Sequence, residues 1–479
     1  MLKRRQFLMT AAAAGGLSAL APPGLGTRPA QAATPRGLTI ATRNLDINGR
    51  SAKVFSLTDD AGRAGLVLEP GTPFDVRLAN SLSEETIVHW HGLTPPFEQD
   101  GVPNNPLPAL AAGESRSYNF KIAKPGTFWM HAHTLQEQNL LAAPLIVHSS
   151  EDLTADWQEV VVMLHDFSFT PAEELLANLT GGQAMGHGAM HGMNHDMPGM
   201  GQTGNMGGTM SGMMGGMDLN DIAYDAFLAN DRTLDDPELV QVEKGGKVLL
   251  RIINGASSTA FTISTGTLTA TLRAVDGRPV EPVTGTMFPL TMAQRIDLMV
   301  DVPKDGGSFP VLALREGAPE QTGLILATPG ANVAKIALIG QTAGPVLDLD
   351  FEARLRTREA LADRPADRSL MVHLVGDMMS YQWGMMGAEA ISAKIGERIE
   401  ISLMNMSMMS HPMHMHGHDF QVVGIDGKRF SGAVRDTVLV TPMRTVTIAV
   451  DIVNPGQWPF HCHHLYHMVS GMMVHMPVS

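Results

Sequence analysis

One residue pattern recurs three times along the chain, at intervals large enough to hold a domain. Each copy has a glycine, then apolar residues at alternate positions, then an asparagine nine residues after the glycine: Gly71 and Asn80, Gly245 and Asn254, and Gly396 and Asn405. Alternation with a period of two is typical of a strand with one buried face. Three copies in a chain of 479 residues predict three homologous β domains.

Histidine pairs of the form His-x-His follow the outer copies only. At the same two offsets from the asparagine stand His89 and His91, Ile263 and Thr265, and His414 and His416. A Pro-Gly pair is a second anchor in the outer copies, and it leads to His131 and His133 and to His461 and His463. A looser alignment from Gly307 places Leu312 and Leu314 there in the middle copy. We therefore expect domains one and three to share a metal site across their interface, with domain two as a spacer.

The chemistry of these pairs follows from strand geometry. Residues i and i+2 of a strand face the same side, so each pair presents two imidazoles to one side. A single His-x-His carries little information in a chain with 19 histidines, but four pairs at equivalent positions do. Eight converging ring nitrogens are enough to hold a multinuclear metal cluster.

The single cysteine, Cys462, lies between the two histidines of the last pair and must face the opposite side of that strand. It cannot form a disulfide within the chain. His467 and Met472 follow it, and His411 opens the third histidine motif. Two histidines, one cysteine and a weak axial methionine form the ligand set of an electron-transfer copper.

Together these motifs resemble those of the multicopper oxidases, which include laccases, cuprous oxidases and copper-resistance oxidases. The resemblance covers nearly the whole mature chain. It implies an all-β fold of three consecutive cupredoxin-like Greek-key β-sandwich domains that hold four copper ions. The implied ligands are His411, Cys462, His467 and Met472 for the type 1 copper; His89 and His414 for the type 2 copper; His91, His131 and His463 for one type 3 copper; and His133, His416 and His461 for the other. The type 1 copper would accept electrons from the substrate, Cys462 would carry them towards the other three coppers, and those three would reduce O2 to water.

Two acidic positions bear on the protons that this reaction consumes. Asp100, in Gln99-Asp100-Gly101, resembles a family acid near the cluster that helps to move protons, although Asp-Gly is also a common turn pair. Many family members carry an acid just after the position of His467, where this chain has Met468-Val469-Ser470. Proton delivery on the type 3 side is therefore expected to use another group or water.

Methionine-rich stretches bear on the electron donor, because thioethers bind Cu(I) well. Residues 183–217 consist almost entirely of Met, Gly, His, Asn and polar residues, which predicts an insertion that handles copper. Met408 and Met409 are candidates for holding substrate copper, although some relatives have an aspartate where this chain has Ser407. We expect O2 and Cu(I), or a small phenolic or metal reductant, as substrates in copper tolerance. The alternatives are a laccase-type phenol oxidase, a copper store without turnover, and a copper-free scaffold.

The N-terminus resembles a twin-arginine export signal, with Arg4-Arg5 before a weakly apolar run and a small-x-small site at 30–32. We therefore expect a signal at 1–32 and a periplasmic protein. The expected domains are 33–152, 153–342 with the insertion 183–217, and 343–479. The net charge of -14 argues against a nucleic-acid partner. No membrane span is expected, a monomer is favoured, and a short helix is expected around Pro171 to Leu179.

Overall fold

The computed structural model describes residues 35–181 and 219–479. The expected signal at 1–32 and the insertion at 183–217 therefore lie outside the described residues. The described residues from Arg36 onward form one compact unit. Its strands form six sheets, two for each copy of the repeat.

The first pair of sheets has the strand orders β2-β1-β4-β6 and β3-β8-β7-β5. Its strands are β1 (Arg36–Ile47), β2 (Arg50–Asp59), β3 (Leu66–Leu68), β4 (Phe74–Asn80), β5 (Val88–His91), β6 (Ser115–Phe120), β7 (Gly126–Ala132) and β8 (Ala142–Val147). Leu38, Val76, Trp90 and Leu145 belong to one buried apolar cluster, so the two sheets enclose a common core.

The second pair has the orders β10-β9-β12-β17-β14-β15 and β11-β19-β18-β13-β16. Its strands are β9 (Gln158–Phe167), β10 (Ala226–Ala229), β11 (Leu239–Gln241), β12 (Lys247–Asn254), β13 (Phe261–Ser264), β14 (Ala270–Val275), β15 (Arg278–Gly285), β16 (Met287–Leu290), β17 (Arg295–Asp301), β18 (Ser308–Arg315) and β19 (Gln321–Ala327). Leu250, Phe261, Leu298 and Leu324 are fully buried in the core between these sheets.

The third pair has the orders β21-β20-β22-β28-β24-β25, with β26 against β24, and β27-β23-β29-β30. Its strands are β20 (Arg368–Asp377), β21 (Gln382–Met386), β22 (Arg398–Asn405), β23 (His411–Met415), β24 (Phe420–Ile425), β25 (Lys428–Arg429), β26 (Val434–Arg435), β27 (Thr437–Val440), β28 (Thr445–Asp451), β29 (Gly456–Cys462) and β30 (Met473–Val478). The three strand groups lie within the expected domain limits, and those limits stay a prediction.

The helices among the described residues are few and short. They are α1 (Ser150–Thr154), α2 (Ala172–Thr180), α3 (Asp350–Arg354), α4 (Leu465–Val469) and the 3-10 turns Phe97–Gln99, Leu135–Asn139 and Ala388–Ala390. The helix expected around Pro171 is confirmed as α2, which begins directly after that proline. Proline suits this position because a helix start needs no N–H donor there. In the part of the chain that the structure describes, no helix is long and apolar enough to span a membrane.

The repeated asparagine has the same structural task in all three copies. Each one ends a central strand, and its side-chain oxygen accepts a hydrogen bond from the N–H two residues later, at 2.9 Å for Asn80 and Asn405 and 3.0 Å for Asn254. Its amide group donates to a backbone carbonyl of the loop that follows, at Glu84, Thr259 and Met409 in chain order. A buried amide with these bonds fixes how the chain crosses from one sheet to the other. The offsets to the histidine pairs are constant for this reason.

The middle copy departs from the alignment by one residue. In the outer copies His89 pairs with His131, and His414 pairs with His461, across neighbouring antiparallel strands. In the middle copy Ile263 pairs with Ala313. The equivalent of His131 is therefore Ala313, and the expected Leu312 was wrong by one position.

Candidate metal centres

Four strands bring eight histidines together between the first and third strand groups. β5 and β7 carry His89, His91 and His131, and His133 follows β7; β23 and β29 carry His414 and His461, and His416 and His463 stand just beyond those two strands. Antiparallel pairing puts one histidine of each pair opposite one on the neighbouring strand, where side chains on the same face meet. All eight are buried, with at most 6 % exposure. The sequence predicted that these eight histidines come together, and the structure brings them together.

Ring nitrogens from the first and third strand groups approach one another closely at two places. Nε2 of His461 lies 3.0 Å from Nε2 of His416 and 3.3 Å from Nε2 of His133. Nε2 of His131 lies 3.4 Å from Nε2 of His463. Each group joins histidines of the first and third strand groups, so a metal bound there would tie the two together.

The remaining three histidines point unpartnered nitrogens inward. Nδ1 of His89 lies 2.9 Å from the Asp100 carbonyl, and Nδ1 of His414 lies 2.9 Å from the Asp436 carbonyl. His91 is turned over, since its Nε2 lies 3.1 Å from the Asp436 carboxylate. The opposite nitrogens, His89 Nε2, His414 Nε2 and His91 Nδ1, are buried without a hydrogen-bond partner. Buried imidazoles that hold one nitrogen by an outer partner and leave the other free fit a metal site.

Electrostatics also suits metal binding. Burial lowers the pKa of the His131, His414 and His416 imidazoles well below the usual range, and neighbouring histidines lower each further. Burial likewise lowers the pKa of His461 to about 4. Neutral imidazole is the form that donates a lone pair to a metal. This cluster is therefore ready for cations at neutral pH.

A second donor set surrounds Cys462. Its Sγ lies 3.7 Å from Nδ1 of His411 and 3.8 Å from Nδ1 of His467, and these two nitrogens are 3.2 Å apart. The side chains of all three residues are buried. Met472 is fully buried, and its backbone exchanges hydrogen bonds with Cys462 and His467. Burial raises the pKa of the Cys462 thiol far above its usual range, so a cation is needed to hold it as the thiolate.

Outer contacts fix the rings of this second set. Nε2 of His411 lies 2.7 Å from the Ser407 hydroxyl, and Nε2 of His467 lies 3.1 Å from the Asp221 carboxylate. The Tyr381 hydroxyl donates to the same Asp221 oxygen. His464, the residue after the last histidine pair, stacks on His467 at 3.7 Å between ring centroids. The Nδ1 atoms of both ligands are thereby directed at Cys462.

The other predicted site residues fall near these centres. Asp100 is fully buried, and its Oδ2 lies 2.8 Å from Nδ1 of His416. It also ends the 3-10 turn Phe97–Gln99, so the contact with the cluster and the turn position coexist. Met408 is 58 % exposed, whereas Met409 is 6 % exposed and belongs to the apolar core. A role for Asp100 in proton movement, and for both methionines in holding substrate copper, stays a prediction.

Sequence reasoning missed four side chains. The Asp436 carboxylate holds His91 and is itself held by Arg295, at 2.7 Å and 2.5 Å. Asp221 supports His467, and Glu137 contacts His131 at 2.8 Å. Asp221 and Arg295 stand in the middle strand group, far from any histidine motif in sequence, so no local signal marks them. The middle domain is therefore more than a spacer, because it supplies groups that support both centres.

The fold and the two donor sets describe a protein with one thiolate-containing centre and one imidazole cluster, joined by a His-Cys-His segment. Family models described as multicopper oxidase match residues 40–152, 158–329 and 363–479. The chain is 30 % identical to multicopper oxidase MmcO of Mycobacterium tuberculosis, over 97 % of this chain and 91 % of that protein. It is 25 % identical to copper resistance protein A of Escherichia coli, over 91 % of each. The structure of a laccase from Botrytis aclada matches with a TM-score of 0.73 at 19 % identity, covering 92 % of this chain and 87 % of the other.

The chain belongs to the multicopper oxidase family. It is accordingly a copper-binding oxidoreductase that uses O2 as electron acceptor. Its all-β fold of cupredoxin-like domains, expected from the sequence, is confirmed.

Proposed function

We propose that this protein is a cuprous oxidase of copper tolerance, exported to the periplasm, with four copper ions held by the residues that the sequence nominated. His411, Cys462, His467 and Met472 hold the type 1 copper, and the eight clustered histidines hold the type 2 and type 3 coppers. Copper bound there supplies one-electron acceptance at the first centre and four-electron reduction of O2 to water at the second.

One observation carries this proposal. Cys462 contributes its sulfur to one donor set, and its sequence neighbours His461 and His463 contribute nitrogens to the other. An electron accepted near Cys462 therefore has a short covalent path to both type 3 positions. The chain excludes water from this path, because all three side chains are at most 3 % exposed.

A cavity of about 630 Å³ supports access for a small neutral substrate on the type 3 side. Its lining includes His133 and the apolar side chains of Met468, Val469 and Met473. This apolar part of the lining suits O2, which needs no hydrogen-bond partners. Met468 and Val469 occupy the positions where an acid stands in many relatives, so this passage offers no carboxylate there.

The choice of Cu(I) rests on the surroundings of the thiolate centre. His411 is preceded by the exposed Met406 and Met408, with 54 % and 58 % of their surfaces accessible, and thioethers favour Cu(I). Ser407 lies between these two methionines, and its hydroxyl lies 2.7 Å from Nε2 of His411. This hydroxyl therefore does not bind substrate copper in place of the aspartate found in some relatives. Substrate copper would therefore rely on thioether sulfur.

The test is steady-state O2 consumption with Cu(I) and, separately, with a simple phenol such as 2,6-dimethoxyphenol. We expect faster turnover with Cu(I) than with the phenol. The double variant Met406→Leu/Met408→Leu should lose this turnover of Cu(I), because leucine keeps the side-chain size but has no sulfur. Met371→Leu, an exposed methionine on β20, is the matched control. Preference for the phenol, with no effect of the double substitution, would favour the laccase alternative.

The insertion 183–217 is proposed to recruit copper to the protein without taking part in O2 chemistry. Its methionines and histidines can bind soft metal ions, and a tethered binding segment raises the local concentration of its ligand. Deleting 186–216 should leave unchanged the blue absorption that a thiolate–Cu(II) bond at Cys462 produces. It should slow Cu(I) oxidation at limiting copper. Equal kinetics of deletion and parent at limiting copper would reject the recruiting role.

A further inference from the structure

Glu137 is a buried carboxylate beside the imidazole cluster. It lies in the 3-10 turn Leu135–Asn139, directly after the second histidine pair, and is 3 % exposed. The Thr134 side chain accepts a hydrogen bond from the Gln136 N–H at the start of the turn, and Leu140 ends it with a positive φ of 64°. These two features turn the chain back, so that Glu137 lies next to His131 of the preceding strand β7.

The two oxygens of Glu137 face imidazoles from different domains. Oε2 accepts a hydrogen bond from Nδ1 of His131 at 2.8 Å. Oε1 lies 3.9 Å from Nδ1 of His463 and has no hydrogen-bond partner of its own. The opposite nitrogens of the same two rings, both Nε2, are 3.4 Å apart. One carboxylate thus stands behind both rings of a convergent pair.

The charge balance of Glu137 differs from that of the other acid at the cluster. Asp436 forms a buried ion pair with Arg295. Among the described residues, the ion-pair partners of Glu137 are only the imidazoles of His131 and His463. A buried carboxylate without a cation is costly, so a metal ion on the far side of these imidazoles would supply the missing positive charge.

We propose that Glu137 is a positioning residue for one type 3 copper, acting on His131 of the first domain and His463 of the third. Oε2 holds Nδ1 of His131, so that the Nε2 lone pair of this ring points to the metal position, and the negative charge 3.9 Å from Nδ1 of His463 favours a cation on the far side of both rings. Outer carboxylates of this kind commonly change metal affinity by about 10–100-fold when they are removed. The inference rests on the proposed function, because it takes these histidines as copper ligands.

The experiment compares copper retention in Glu137→Leu, Glu137→Gln and the parent, all loaded with copper and challenged with a graded chelator. Readouts are copper per chain, the blue absorption of the thiolate centre, and the amount of EPR-detectable copper, which rises when a coupled copper pair is broken. We expect Glu137→Leu to lose copper from the pair about 10–100-fold more readily while its blue band persists. Glu137→Gln keeps an acceptor for His131 but removes the negative charge behind both rings, so it should fall between leucine and the parent.

Gln138→Leu is the matched control. Gln138 is the next residue of the same turn and is buried, but its oxygen accepts from Ser257 and Tyr466 and touches neither histidine. It should lose thermal stability and keep parental copper affinity. Parental copper retention in both Glu137 variants would overturn the inference; if the leucine variant fails to fold, parental retention in Glu137→Gln does so alone. Parent protein that lacks a full copper complement would instead refute the proposed function.

Discussion

Glu316 offers a quantitative test of how the third strand group is attached to the second. It stands just after β18, is 6 % exposed, and its Oε1 accepts a hydrogen bond from the Leu347 N–H at 2.7 Å. Leu347 lies in the segment that leads to the third strand group, and the Glu316 carbonyl accepts from Asn220, next to Asp221. The Glu316→Gln substitution preserves shape and the bond to Leu347 but removes the ionisable group.

The magnitude follows from the pKa. Burial raises the pKa of Glu316 from 4.5 to about 7, and the Leu347 N–H opposes this only in part. Each unit of difference between the unfolded and folded pKa corresponds to about 1.4 kcal/mol, so protonated Glu316 adds up to ~3 kcal/mol to the free energy of unfolding. Because the folded pKa is the higher one, this stability is fully present below pH 4.5 and is lost as the pH rises to about 7.

The assay is the free energy of unfolding in urea for parent and Glu316→Gln, in the same copper-loaded form, across that pH range. As the pH rises from 4.5 to 7, the free energy of unfolding of the variant should rise relative to that of the parent by up to ~3 kcal/mol. Above pH 7 the difference between the two proteins should stay constant. Other titrating groups cancel in the comparison. Glu389→Gln, at an exposed position in Ala388–Ala390, is the control and should parallel the parent. If the curve of Glu316→Gln also runs parallel to that of the parent, burial does not raise the pKa of Glu316 in the folded protein.

Two further substitutions test the support of each centre. Arg295→Met leaves the buried carboxylate of Asp436 without its guanidinium partner, so it should destabilise the fold by about 3–5 kcal/mol in urea unfolding. Arg429→Met, which breaks an exposed pair with Glu400, should cost at most about 1 kcal/mol. Similar losses in the two variants would contradict this. Asp221→Leu removes the acceptor behind His467 and should speed decay of the blue band in chelator by about 10–100-fold, an effect that an unchanged decay rate would exclude.

The sequence was sufficient for the fold and for the meeting of the predicted metal-binding side chains in two clusters. The asparagines of the repeat keep their offsets because each makes the same bonds between a strand end and the next loop. Strand pairing then places His89 opposite His131 in one sheet and His414 opposite His461 in another. Local periodicity therefore carries the information that determines where the imidazoles point.

The supporting groups could not be found in this way. Arg295 reaches Asp436 across 141 positions of sequence, and Asp221 reaches His467 across 246. Such contacts depend on how the strand groups pack, and a single acid in a loop has no pattern that marks it. The one-residue error at Ala313 has a similar origin, because the middle copy lacks the histidines that fix the alignment in the outer copies.

In the proposed function Cys462 joins two copper centres, and the copper content of Cys462→Ser tests this role. Parent protein should bind four copper ions per chain, show the blue absorption of a thiolate–Cu(II) bond, and reduce O2. Cys462→Ser should bind three, lack the blue band and lose turnover, because the eight clustered histidines remain in place while the sulfur of the other set is gone. A Cys462→Ser protein that still reduces O2 at the parental rate would show that electrons do not enter through Cys462.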